Sequence, residues 1–168
     1  MKHNSRILLF IAILYTSSFF ISCNEGLSPP IVDDATLIKG KITFTSGLNS
    51  WPSLDSLKGI RVALFKNYPD SANILNDLLS ENLILTADSV SYFVESYEFS
   101  HIVSKLPVEY NYICVAQNFA GLLDWKVIGL YSINDDNLTP KKLTIIETGI
   151  YDNININVDF NNLPPQPF

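Results

Sequence analysis

Residues 36–45 read Thr-Leu-Ile-Lys-Gly-Lys-Ile-Thr-Phe-Thr, and this stretch decides the fold class. Leu37, Lys39, Lys41 and Thr43 alternate with Ile38, Gly40, Ile42 and Phe44. A period of two sends successive side chains to opposite faces of a strand, whereas a helix would repeat its apolar residues at steps of three and four. The far end of the chain repeats the pattern. In 151–160, YDNININVDF, the apolar Ile154, Ile156, Val158 and Phe160 alternate with Asn153, Asn155, Asn157 and Asp159, which predicts a half-buried strand with a polar outer face.

Between these two strands the same signals recur. Residues 60–66, IRVALFK, predict a strand with Ile60, Val62 and Leu64 in the core, and the continuous apolar run at 110–117, YNYICVAQ, predicts a central strand covered on both faces. Further strands are expected at 91–99, an aromatic-rich stretch, at 124–131 and at 142–148, with a short edge strand at 83–86. Only 68–82 changes period. There Ile74, Leu75, Leu78 and Leu79 recur at helical spacing behind Asp70 and Ser71, either of which can cap, so a short helix is expected near 71–80. About seven short strands at turn spacings of ~8–12 residues, with one helix inserted, predict an all-β, Ig-like antiparallel sandwich over 35–160. The Pro-rich tail 161–168, NNLPPQPF, cannot continue a sheet.

The order of the pieces carries a resemblance. ATLIKGKITF (35–44), KGIRVALFK (58–66), SYEFSHIVSKLPVEYNYICVAQ (96–117) and ININVDF (154–160) together resemble the transthyretin-like or carboxypeptidase-regulatory-like sandwich domains. Those domains have a first strand with a central Gly, a V-x-L strand and a Y-x-F … L-P-x-G-x-Y hairpin. Here the hairpin is Tyr97, Phe99, Leu106, Pro107, Tyr110 or Tyr112, then Ile113 and Val115. Val108 and Glu109 stand where the Gly after Pro belongs, so the turn differs. The resemblance implies an accessory, positioning or binding module. It carries over no catalytic residue, because the His-rich site motifs of the hormone-carrier and hydrolase relatives are absent.

The chain opens with Lys2 and Arg6, then an apolar run, then Ser22 directly before Cys23. This resembles a bacterial lipoprotein signal, with Phe20 standing where the usual box has Leu. The resemblance implies that 1–22 is a signal peptide removed on export, that Cys23 is lipid-modified and becomes the N-terminus, and that 23–34, with Pro29-Pro30, is a tether. The membrane partner would then be reached through the lipid on Cys23. Asn24 rather than Asp follows Cys23, which favours the outer membrane over inner-membrane retention. Two other readings are a membrane-spanning anchor, for which the run is short of the roughly 20 residues needed, and an ordinary cleaved signal that leaves Cys23 a thiol. Each of them also exports the domain.

Charge and composition narrow the function. The whole chain carries 11 basic and 17 acidic residues, a net charge of −6. Two of the basic residues sit in the leader, so the part beyond it is more acidic still. Nucleic acid and anionic headgroups need a basic surface, which argues against both as partners. Beyond Cys23 the single cysteine is Cys114, in an apolar run where a thiol behaves as a small hydrophobe, and no intrachain disulfide can form if Cys23 is acylated. There is no HxH or CxxC pair for a metal and no G-x-S-x-G around a nucleophile. No cofactor is implied. His101, the one histidine beyond the leader, could serve an enzyme only in a pocket shared with a carboxylate. Asn134, Asp135, Asp136 and Asn137 offer oxygens but lack the spacing of a calcium loop. Glu95 and Glu98 fall on opposite strand faces and do not make a glycosidase pair.

Trp51 and Trp125 carry the positive functional hint. Exposed tryptophans stack on sugars or anchor protein interfaces, whereas buried ones merely pack. Three Asp-Ser-apolar triplets, at 55–57, 70–72 and 88–90, resemble O-glycosylation acceptors. The expectation is therefore a non-enzymatic, lipid-anchored accessory or binding module of the cell envelope, with a protein or glycan partner. The alternatives are a carbohydrate-binding module using Trp51 and Trp125, or an enzyme built around His101.

Overall fold

A computed structural model describes residues 35–167; the expected signal peptide and tether, with Cys23, lie outside the described residues. The strands are β1 (Thr36–Phe44), β2 (Gly59–Phe65), β3 (Leu83–Leu85), β4 (Ser96–Val103), β5 (Val108–Tyr110), β6 (Tyr112–Asn118), β7 (Trp125–Leu130), β8 (Leu143–Ile145), β9 (Ile150–Tyr151) and β10 (Ile156–Val158). The helix α1 (Ile74–Leu79) lies between β2 and β3. The chain is all-β, with the helix where its period places it.

One large sheet has the order β3-β2-β6-β7-β10-β1-β4, with β9 also on β1, while β5 and β8 form a separate pair. The expectation of a purely antiparallel arrangement is corrected. β1 runs parallel to β10, with Ile42 opposite Ile156, and parallel to β9, with Leu37 opposite Ile150. The reason is local: the expected strand over 151–160 is broken at Asn153, whose φ is +63°, and its two halves lie end to end along β1. Gly40 permits this, because a Cβ there would strike the Ile154 carbonyl and approach the Phe99 ring within 2.7 Å.

The sheet curls, and its inner face wraps one core. Ile38 and Ile42 of β1, Val62 of β2, Ile113 of β6, Ile128 of β7 and Ile156 of β10 all pack into a single cluster. The β5–β8 pair adds Tyr110 and Ile145 to it. A second, smaller cluster, with Ala63, Phe65, Cys114 and Val127, lies on the outer face of β2, β6 and β7. Every residue of β6 is buried, as the continuous apolar run at 110–117 predicts.

Two expectations shift at their edges. The strand expected at 91–99 begins only at Ser96 and runs on to Val103. Phe93 has φ +56° and its ring lies 5.4 Å from Trp51, so aromatic packing overrides the alternation there. The Pro-rich tail forms no strand, yet it is fastened to the sheet. The Gln166 side-chain amide accepts from Val127 N at 2.8 Å and donates to Val127 O at 2.9 Å. It supplies the two hydrogen bonds that a neighbouring strand would otherwise make.

Candidate functional site

A groove of about 360 Å³ lies over the outer face of β2 and β6. Small side chains, Ala63, Cys114 and Ala116, keep its floor low. One wall is α1 with Ile74 and Leu78, continued by Leu83 and Leu85 of β3. The other is the β6–β7 loop with Phe119, Leu122, Leu123 and Trp125.

Each wall is held by its own hydrogen bonds. In the loop, Asn118 Nδ2 donates to Gly121 O at 2.7 Å, Gly121 N donates to Asp124 Oδ2 at 2.6 Å, and the Trp125 indole N–H donates to Leu122 O at 2.8 Å. The polar atoms are thus spent inside the turn, and Leu122 is left 83% exposed. Across the groove, Asp70 accepts from Ala72 N at 3.1 Å and Asn73 Nδ2 at 3.0 Å in the turn before α1; the expected cap is corrected, because the N-cap is Asn73, without a side-chain cap bond, and not Asp70 or Ser71. On the α1 wall Leu78 is exposed as well. An apolar concavity with leucines standing at its rim can bury an apolar surface.

The two tryptophans part company. Trp125 is half-buried and lines this groove. Trp51 is 8% exposed and packs on Phe44, Phe93 and Phe160 with ring centroids 4.4, 5.4 and 5.0 Å away. They share no face: Trp51 belongs to the inner core and Trp125 packs on the outer cluster. Trp51 closes the aromatic corner formed by the 47–58 loop, and that burial removes it from any platform for a sugar.

His101 lies half-buried on β4 in a separate cleft that also holds Glu81 and Glu109. Burial lowers its pKa, and neither carboxylate contributes to the shift. Glu81 is paired to Lys105 at 2.8 Å, and Glu109 accepts from Thr144 Oγ1 at 3.2 Å. The cleft brings an imidazole and carboxylates together, but without the contact that would make one orient the other. Burial pushes the Cys114 thiol well up, away from the reactive thiolate. The 134–137 turn uses its own oxygens: Asp136 Oδ1 accepts from Leu138 N and Thr139 N, and Asn137 Oδ1 accepts from Leu130 N. Among the described residues no helix is long and apolar enough to cross a membrane, and no three side chains gather as metal ligands.

Sequence reading located Trp125 but missed its companions. Leu122 and Leu123 look like ordinary loop residues until the turn is folded, although two adjacent leucines next to Asp124 in a tight turn are the signal that could have marked them. No family model, curated protein or solved structure matches the chain.

Proposed function

We propose that this chain is a non-enzymatic binding module of the bacterial cell envelope, held to the membrane by a lipid on Cys23, and that it docks an apolar segment of a partner protein in the Trp125 groove. The observation that carries the docking is the groove itself, an apolar concavity with exposed leucines on both rims. The leader sequence and the resemblance to transthyretin-like accessory domains support the anchor and the role. A sugar would need several free hydrogen-bonding groups beside the aromatic ring. Here the indole N–H and the Asp124 carboxylate are already engaged by the loop, so an apolar protein segment is the better fit.

Two experiments test the two parts. Fractionation of a Cys23→Ala variant is expected to release the protein from membranes; a variant that stays attached overturns the lipid anchor. A photo-crosslinking residue placed at Leu122 in the full chain is expected to give a discrete protein adduct in cells, and the same residue at exposed Ile146 is not. Equal labelling at both positions, or none at Leu122, overturns the docking surface.

A further inference from the structure

The two edges of the large sheet are unlike each other. β3 has three residues, the shortness by which edges are commonly protected, whereas β4 has eight, with no Pro and no bulge. The direction of its main-chain groups follows from its partner. Phe44 N donates to Glu95 O at 2.9 Å, while Leu37 N donates to Gly149 O and Lys39 O accepts from Ile154 N on the other side of β1. With Ile38 opposite His101 and Gly40 opposite Phe99, the odd-numbered residues of β4 bond to β1. Ser96, Glu98, Ser100 and Ile102 therefore turn their N–H and C=O groups outward. Among the described residues none of these groups is hydrogen-bonded.

Two clefts lie along this edge. One cleft of about 490 Å³ is lined by 97–100 of β4 together with 39–41 of β1, residues of the 152–155 link, and Thr86, Asp88 and Val90, and a second of about 590 Å³ lies along 101–105, with Leu83 and Ile84 also lining it. The Lys105–Glu81 pair joins the two sides at one end. The side chains of β4 also state a preference. On the outer face Glu98 stands opposite Lys41 of β1 but makes no ion pair among the described residues, and Ile102 is 63% exposed; on the inner face Phe99 and Val103 are apolar and buried.

We infer that the free edge of β4 takes up an extended peptide of a partner protein as an added strand, with a cationic residue opposite Glu98 and apolar residues opposite Ile102 and along the inner face. Main-chain hydrogen bonds supply the affinity in such strand addition, and alternate side chains supply the selectivity. The surface is separate from the Trp125 groove, so either can fail alone.

The probe is a labelled synthetic peptide with the β1 sequence TLIKGKITF, which in the fold already sets Lys41 opposite Glu98 and Leu37 opposite Ile102. It is titrated against the full chain. Ser100→Pro removes one outward donor and leaves the bonds to β1, a place where an edge strand tolerates Pro. It is expected to weaken binding at least about tenfold, equivalent to about 1.4 kcal/mol, while Ser100→Ala binds as the wild type does. Independently of any effect of Pro on folding, Glu98→Lys is expected to weaken this peptide and to favour one with both lysines replaced by glutamate. Absence of binding to the wild type, or equal affinities across these variants, overturns the inference. So does loss of binding on Leu122→Asp, which would move the peptide to the groove, or a dimer that Ser100→Pro dissolves, which would give the edge to a second copy.

Discussion

Trp51 shows how far a single residue can be read before its neighbours are known. Its position before Pro52 in a long loop suits a plug over the end of the sheet as well as an exposed binding aromatic, and the ring contacts with Phe44 and Phe160 assign it to packing. Its indole nitrogen is buried with no hydrogen-bond partner among the described residues. The ring therefore stabilises by area and contact alone. Trp51→Ala is expected to cost about 3–5 kcal/mol in urea denaturation. Trp51→Phe is expected to cost much less, because it also removes an unsatisfied donor. His101 gives a pH signature. Burial lowers its pKa from the ordinary value of about 6.5, so the unfolded chain binds its proton first. The stability it contributes is present above that value and is lost as pH falls through the lower, folded pKa. Unfolding midpoints measured downward from neutral pH are expected to decline in this window, above the carboxylate range, and His101→Gln is expected to flatten the slope.

At the scale of elements, periodicity located most strands and the helix, but it misjudged their ends. α1 occupies 74–79 within the expected 71–80, and none of its residues is buried. The strand expected at 91–99 fails over its first half because Phe93 turns back to pack on Trp51. The strand at 151–160 is split at Asn153, where the left-handed backbone favours asparagine. The tail held the largest surprise, since Pro-rich composition predicts loose chain and says nothing of Gln166. With its amide gone, the N–H and C=O of Val127, a buried residue, lose their partners. Gln166→Ala is expected to cost about 1–3 kcal/mol and to raise hydrogen exchange at Val127 above that of Ile128. Unchanged exchange at Val127 would show that the tail is not a fastening.

Over the whole molecule, the order of the sheet makes its ends interdependent. β10 sits between β7 and β1, so the last strand joins the first to the centre. Truncation after Thr148 removes both β9 and β10, and with them Ile154, Ile156 and Val158 of the inner core. Such a chain is expected to lose its cooperative thermal transition, whereas truncation after Leu163 keeps it; calorimetry of the two distinguishes them. Sequence alone determined the all-β class, the place of the helix, the doubly covered β6 and the acidic character, because each depends on composition or on neighbours a few residues apart. The parallel pairing of β1 with β9 and β10, the separation of Trp51 from Trp125, the groove between α1 and the β6–β7 loop, and the open edge of β4 were decided by the tertiary structure. Each of these is a relation between segments distant in the chain, and a local period specifies which face a residue takes on its strand but not which strand, ring or loop it will face there.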